Sequence, residues 1–331
     1  MNLSRHPFPG AARMAACLAA TLIATGCVHR RAIPKEGWLG LTPAQRTEKV
    51  LAAPGLDSRL VRYNQGQIEF VEVRPPRLDS AAPVLPPAVY IHGMGGTFGS
   101  FGPSLIAPDS LSIRIAVNLP GTGLSTGSPE SFSIPAFARA LRELLVVRMG
   151  HDKLDLVCHS LGGQVCMAFA LDYPAHVSSL TLIDAAGSYD QSEFVRRMAK
   201  QFAGVNLGNV LVSDHPAISM ITGGNLNIIN RIVGGNSVVL AGLNSFDQNY
   251  RDRIPNLNVP VLIIWGRDDP VFTVENGFFL RNNIRGSRMR VVPAAGHSPQ
   301  LSHAELVEGW IREFRLAVSA APHPEEPHAN P

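Results

Sequence analysis

The sequence predicts an α/β fold in which a mostly parallel, doubly wound sheet is covered by helices on both faces. Short apolar runs, such as residues 89–91 and 259–265, alternate with segments of helical periodicity, such as residues 135–149. Parallel strands need long crossover connections, which are usually helices, so this alternation favours a parallel sheet. The chain has 331 residues, of which 45% are hydrophobic, so it can bury a large core.

The predicted elements run from a short N-terminal helix to a long C-terminal one. Alternating apolar residues predict the first strand, and continuous apolar runs predict the later, more buried strands. The predicted strands cover residues 67–73, 89–91, 113–117, 154–160, 180–183, 259–265 and 290–292. The predicted helices cover residues 43–52, 135–149, 164–173 and 305–318.

Residues 188–255 interrupt this alternation with apolar segments that are punctuated by Gly and Asn. They are interpreted as a helical cap, inserted into a core formed by residues 60–187 and 256–317. Residues 27–59 are predicted to be a tether and an N-terminal segment. Residues 318–331 are rich in Pro, His and Glu, a composition typical of a disordered tail.

The N-terminal residues have the pattern of an export signal. Arg5 and Arg13 give a basic start, residues 14–26 carry no charge, and Cys27 follows. An apolar run of this length is too short to span a bilayer comfortably. The segment resembles the lipobox of bacterial lipoproteins, which implies that residues 1–26 are a signal peptide and that Cys27 is lipidated. The implied location is the bacterial cell envelope, with a membrane anchor and a domain facing the periplasm or exterior; the alternative is ordinary secretion.

Charge and cysteine content exclude several classes of function. The formal net charge of +3 is close to balance and does not favour a nucleic-acid partner. The four cysteines lack the spacing of a zinc site, and the Gly-rich segment 92–96 lacks the spacing of a dinucleotide-binding loop. We therefore expect neither a cofactor nor a metal.

Residues 158–163 carry the most informative motif of the chain. They read Cys-His-Ser-Leu-Gly-Gly directly after an apolar run. A strand that ends at a serine, with glycines two and three positions later, predicts a nucleophile elbow. The turn is strained, and Gly162 and Gly163 leave room for the close approach of neighbouring backbone. Ser160 is therefore the candidate nucleophile, although Cys158 stands where glycine is usual.

Other motifs follow other predicted strands. Residues 294–298, Ala-Ala-Gly-His-Ser, follow the last strand, and residues 266–270, Gly-Arg-Asp-Asp-Pro, follow the strand before it. Residues 92–96, His-Gly-Met-Gly-Gly, follow an early strand, and residues 118–125, Asn-Leu-Pro-Gly-Thr-Gly-Leu-Ser, follow the next. Together with the elbow, these motifs resemble the α/β-hydrolase family over residues 60–317.

The resemblance implies a base and an acid for Ser160. The family order of nucleophile, acid and base selects His297 as the base, and the pattern Gly-x-x-Asp selects Asp269 as the acid. The acid would fix the imidazole tautomer and stabilise the imidazolium. Asp268, its neighbour, and Asp184, after the preceding strand, are alternative acids.

The resemblance also implies an oxyanion hole made of two backbone N–H groups. One belongs to Leu161, after the nucleophile, and the other to Met94, in the Gly-rich loop. His92 and His159 are expected to brace these loops rather than to react. The segment 118–125 begins with Asn where the family usually has Asp, and it is interpreted as structural.

Cys158 and Cys166 are expected to be small, buried packing residues. A disulfide between them is chemically possible in an oxidising compartment. One of them ends a strand and the other lies in the following helix, which disfavours the geometry of a disulfide.

A serine nucleophile with a base, an acid and oxyanion donors predicts acyl transfer through an acyl-enzyme intermediate. Apolar residues in the segment 188–255 favour a small-molecule ester with an apolar acyl or alkyl group, although the same residues would equally serve to pack the cap onto the core. One alternative is carbon–carbon bond hydrolysis or cofactor-free perhydrolysis on the same residues. The other is a catalytically inactive envelope protein that uses the cap as a binding surface.

Overall fold

The described part of the molecule contains the whole predicted sheet. The computed structural model describes residues 37–75, 85–108, 111–128, 131–188 and 250–321. The predicted signal peptide, Cys27 and most of the predicted cap lie outside the described residues. Among the residues that are described, no helix combines the length and the apolar character needed to cross a bilayer.

Eight strands of the described chain form one sheet. They are β1 Ser58–Tyr63, β2 Gly66–Val73, β3 Ala88–Ile91, β4 Arg114–Val117, β5 Leu154–His159, β6 Val177–Ile183, β7 Val261–Gly266 and β8 Arg288–Val292. Their order across the sheet is β1-β2-β4-β3-β5-β6-β7-β8. β2 pairs antiparallel with β1 and β4, and the remaining neighbours are parallel. The predicted mostly parallel sheet is thus confirmed.

Helices cover both faces of this sheet. They are α1 Pro43–Leu51, α2 Gly102–Ile106, α3 Ile134–Arg142, α4 Leu161–Asp172, α5 Val274–Asn283, α6 Pro299–Ser302 and α7 Ala304–Ser319. One apolar cluster joins the sheet to α3, α4 and α5, and a second joins it to α1, α2 and α7. The sheet therefore lies between two cores, as expected for a doubly wound fold.

The short strand β3 shows how the sheet divides its side chains between the two cores. Val89 and Ile91 belong to the cluster with α3 and α4, whereas Ala88 and Tyr90 belong to the cluster with α1 and α2. Successive strand residues point to opposite faces, so a strand buried on both faces has an unbroken apolar sequence. This pattern is the reason that the sequence identifies β3.

Four of these elements were not predicted. The helices α2 and α6 are only five and four residues long, and β1 and α5 carry a weak sequence signal. β1 lies at the edge of the sheet, and its Leu60 is 48% exposed. In α5, the buried residues are Gly277 and Leu280, which do not form a wide apolar face. Neither β1 nor α5 has the periodicity that marks an amphipathic helix or a half-buried strand.

The expectation that Cys158 and Cys166 stay apart is wrong, because they form a disulfide with their Cα atoms 6.5 Å apart. Both residues are fully buried. The elbow turns so tightly that α4 packs directly against β5. A Cβ on Gly162 would lie only 2.3 Å from the carbonyl oxygen of Ile91, at the end of the neighbouring strand β3, so glycine there permits the start of α4 to lie close to the sheet. The helix consequently returns Cys166 to within the Cα separation that disulfides need.

Replacing both cysteines by alanine should lower the free energy of unfolding by roughly 2–3 kcal/mol. The crosslink closes a short loop and so restricts the conformations that the unfolded chain can adopt, and the double variant loses this restriction. Denaturant titrations of the wild type and of Cys158→Ala/Cys166→Ala, each with and without reductant, measure this difference. Reductant should lower the wild-type midpoint and leave that of the double variant unchanged. A wild-type midpoint that does not respond to reductant would contradict the disulfide.

Candidate active site

Ser160 occupies a strained turn between β5 and α4. Its backbone has φ 52° and ψ −118°, a conformation that residues other than glycine rarely adopt. The Ser160 N–H donates to the carbonyl of Ile183. The Ser160 carbonyl accepts from the N–H groups of Gly163 and Ala186. These bonds hold the strained residue at the carboxyl edge of the sheet, between the ends of β5 and β6.

The three residues predicted as nucleophile, base and acid meet in one hydrogen-bonded chain. Ser160 Oγ lies 3.0 Å from His297 Nε2, and His297 Nδ1 lies 2.8 Å from Asp269 Oδ2. The other oxygen of Asp269 accepts from the N–H groups of Val271 at 2.7 Å and Phe272 at 3.2 Å. Because Nδ1–H donates to the carboxyl group, Nε2 is left to accept from the serine hydroxyl.

Asp268 points away from this chain of hydrogen bonds. Its side chain is exposed, and its backbone N–H donates to the carbonyl of Ala295 at 2.9 Å. Asp269 is buried with 4% exposure. Of the two neighbouring acids, the structure therefore places Asp269 against His297 and uses Asp268 to hold the backbone of the loop before His297.

Asp184 is a second buried acid at the same edge of the sheet. It follows β6, has φ 43°, and accepts at Oδ1 from the N–H of Gly266 at 2.7 Å. Its Oδ2 has no hydrogen-bond partner among the described residues. Burial, and then the negative charge of Asp269, raise the pKa of Asp184 well above its ordinary value. Asp184 thus fixes the end of β7, from which the loop with Asp269 departs.

The two residues predicted to form the oxyanion hole line a common small cavity. Leu161 opens α4, and Met94 follows Gly93, where a Cβ would lie 2.8 Å from Ser160 Cβ. Both border a cavity of about 10 Å³, whose other walls include Leu119. The N-terminus of a helix offers free N–H groups, which is the property that an oxyanion site requires.

His92 braces the loop that carries Met94. Its Nδ1 donates to the carbonyl of Gly93 at 2.7 Å, and its Nε2 accepts from the N–H of Leu119 at 3.1 Å. Burial lowers the pKa of His92 to about 4, so the ring stays neutral over the physiological range. Its two nitrogens are occupied by backbone groups, in keeping with the expected structural role.

Asn118, which stands where the family usually has Asp, connects three segments. Its Oδ1 accepts from the N–H of Phe98 at 2.6 Å, and its Nδ2 donates to Glu69 at 2.7 Å. Glu69 also accepts from the N–H of Leu124. Sequence analysis missed Glu69, one of two acids in β2, because nothing in the sequence distinguishes it from Glu72. The asparagine amide satisfies a backbone donor and a buried carboxyl group at once.

Asp184→Asn should stabilise the protein increasingly as the pH rises. A raised pKa means that folded Asp184 keeps a proton which the unfolded chain releases above its ordinary pKa of 3.8. The contribution of Asp184 to wild-type stability consequently falls as the pH increases from that value, and a neutral isostere removes this loss. Melting temperatures of wild type, Asp184→Asn and the exposed control Asp268→Asn between pH 4 and 8 test this. A difference between Asp184→Asn and wild type that does not grow with pH would contradict it.

Comparison with known proteins agrees with the fold and with the motifs. Residues 88–309 match the alpha/beta hydrolase family. A pimeloyl-acyl-carrier-protein methyl ester esterase of Neisseria meningitidis is 28% identical over 68% of this chain and 91% of its own length. A 2-hydroxy-6-oxononadienedioate/2-hydroxy-6-oxononatrienedioate hydrolase of Burkholderia vietnamiensis is 28% identical over 68% of this chain and 85% of its own length.

A comparison with solved structures finds the same fold. A thermophilic esterase from Thermogutta terrifontis superposes with a TM-score of 0.58 and 22% identity, covering 80% of this chain and 98% of the esterase. The likeness shows a common fold. Since the family match extends over more than half of the sequence, the chain belongs to the alpha/beta hydrolase family.

Proposed function

We propose that the protein is a serine hydrolase that cleaves a carboxylic ester with an apolar acyl or alkyl group. The observation that carries this proposal is the hydrogen-bonded chain from Ser160 through His297 to Asp269. A serine hydroxyl is a weak nucleophile until a base removes its proton. Here the base lies at hydrogen-bonding distance, and an acid holds its second nitrogen.

The proposed reaction has two halves. His297 Nε2 takes the proton of Ser160 as Oγ attacks the ester carbon, and Asp269 stabilises the imidazolium. The N–H groups of Met94 and Leu161 stabilise the oxyanion of the tetrahedral intermediate. The alcohol leaves with the proton from His297, and the acyl group remains on Ser160. Water, activated by His297, then attacks the acyl-enzyme and releases the acid.

Two observations support an ester with an apolar group. The Neisseria meningitidis relative is a methyl ester esterase. The predicted cap segment is rich in apolar residues, among them Val210, Leu211, Ile218, Met220, Ile221, Ile228 and Ile229. In this fold, an insertion between strands is positioned to cover the carboxyl edge of the sheet, where Ser160 lies.

Ser160→Ala should lower kcat on p-nitrophenyl esters by about 10⁴-fold or more, and Asp269→Asn by about 10³- to 10⁴-fold, because the first removes the nucleophile and the second the partner that orients the base. Asp268→Asn is the matched control, because its side chain is exposed, and it should keep wild-type activity. A fluorophosphonate probe should label wild type and not Ser160→Ala. Labelling that persists in Ser160→Ala would refute the assignment of the nucleophile.

A second candidate reaction is carbon–carbon bond hydrolysis on the same residues. The Burkholderia vietnamiensis relative, which hydrolyses 2-hydroxy-6-oxononadienedioate, supports it. Product analysis with that compound and with an ester panel separates the two reactions. Folded protein that takes no probe and cleaves neither substrate would instead support the inactive binding protein.

We further propose that the protein is a lipoprotein of the bacterial cell envelope, anchored through Cys27. The apolar run of residues 14–26 before a cysteine supports this proposal. The buried Cys158–Cys166 disulfide supports export independently, because disulfides persist in oxidising compartments.

Cys27→Ala should move the full-length protein, expressed in a bacterium, from the membrane fraction to the soluble fraction. Because lipid is attached to this thiol, the variant should also lose incorporation of labelled palmitate. Cys17→Ala is the matched control, since Cys17 lies within the predicted signal peptide, and it should behave as wild type. Palmitate labelling that survives in Cys27→Ala would overturn the proposal.

A further inference from the structure

His159 joins the nucleophile elbow to the loop that carries His297. It ends β5 immediately before Ser160, and it is 7% exposed. Its Nε2 lies 2.6 Å from the backbone oxygen of His297. A carbonyl oxygen only accepts hydrogen bonds, so Nε2 of His159 carries the proton and donates. The neighbour of the proposed nucleophile thus holds the backbone of the proposed base.

The loop before His297 has its other attachments on a different strand. Ala294 has φ 57°, an unfavourable conformation for a residue with a Cβ. The N–H of Asp268 bonds to the carbonyl of Ala295, and a Cβ on Gly266 would lie 2.2 Å from the carbonyl oxygen of Gly296. These contacts attach the loop to the end of β7. The bond from His159 attaches it to β5, the strand that positions Ser160.

Rings and loops confine the imidazole of His297 as well as its backbone. The ring centroid of His159 lies 5.0 Å from that of His297, and the centroid of Phe272 lies 5.7 Å from it. A Cβ on Gly93 would lie 3.0 Å from Nδ1 of His159, so the same ring borders the loop of Met94. Burial, and then the charge of His297, lower the pKa of His159 well below its ordinary value. The His159 ring is therefore neutral when its Nε2–H donates to the carbonyl of His297.

We propose that His159 is a positioning residue, whose Nε2–H holds the His297 backbone so that the imidazole reaches Ser160. This inference rests on the proposed serine-hydrolase function. The proton of His159 is directed at a carbonyl group, so His159 acts through His297 and exchanges no proton with substrate. Small displacements of a base are costly, because proton transfer requires close and well-directed contact.

The test compares His159→Gln with His159→Met. The two side chains have similar length and volume, but only glutamine keeps an N–H donor near the position of Nε2. We expect His159→Met to lower kcat and the rate of fluorophosphonate labelling by about 10- to 100-fold with little change in KM, because the base is misplaced. His159→Gln should recover most of this loss. Proton NMR of the downfield Nδ1–H of His297 should show the signal in wild type and His159→Gln, and its loss in His159→Met.

The outcomes separate this inference from the proposed function. Equal kcat and equal NMR signals in the two variants would overturn the role of His159, even if the wild type hydrolyses esters. If the wild type neither hydrolyses esters nor takes the probe, the proposed function fails. The NMR comparison then decides the positioning role alone, because it needs no turnover. Melting temperatures of both variants show whether a loss in His159→Met comes from unfolding.

Discussion

The backbone conformation of Ser160 is the constraint on which the rest of the site depends. A non-glycine residue at φ 52° costs about 1–3 kcal/mol and persists only where its surroundings hold it in that conformation. The surroundings here are the ends of two parallel strands and the first turn of α4, which bond to both the N–H and the carbonyl of Ser160. The turn places the hydroxyl at the N-terminus of α4, so it supplies both the proposed nucleophile and one of the proposed oxyanion donors.

Parallel strands bring the other groups to the same edge. The loops after β6, β7 and β8 carry Asp184, Asp269 and His297, and their nearness follows from strand order. Asp184 and Asp269 are both buried, and burial together with the negative charge of Asp269 raises the pKa of Asp184. Asp269 accepts two backbone N–H groups and the imidazole, whereas Asp184 accepts one N–H. With a single N–H donor and an unpaired Oδ2, Asp184 has little to stabilise its charged form, which agrees with its raised pKa.

The sequence predicts those parts of the site in which a strand and a distinctive loop residue are adjacent. Ser160 and His297 fall in this class, and the sheet follows from buried apolar runs. The family pattern Gly-x-x-Asp selects Asp269, but the neighbouring residues alone leave Asp184 as an alternative, because that choice depends on where each carboxyl group points. Glu69 contacts Asn118 across 49 positions, and the disulfide depends on how closely α4 approaches β5. Such long-range contacts follow from packing, which is why local patterns did not reveal them.

Three consecutive residues at the end of β5, Cys158, His159 and Ser160, each have a different role in the site. Successive side chains at a strand end alternate in direction. Cys158 points into the core shared with α4 and is bonded to Cys166, so it fixes the helix. His159 lies on the other side and holds the His297 backbone. Ser160 therefore lies between a helix that the disulfide fixes and the proposed base, whose backbone His159 holds. Cys158, which stands where the family usually has glycine, thus secures the helix whose first N–H is a proposed oxyanion donor.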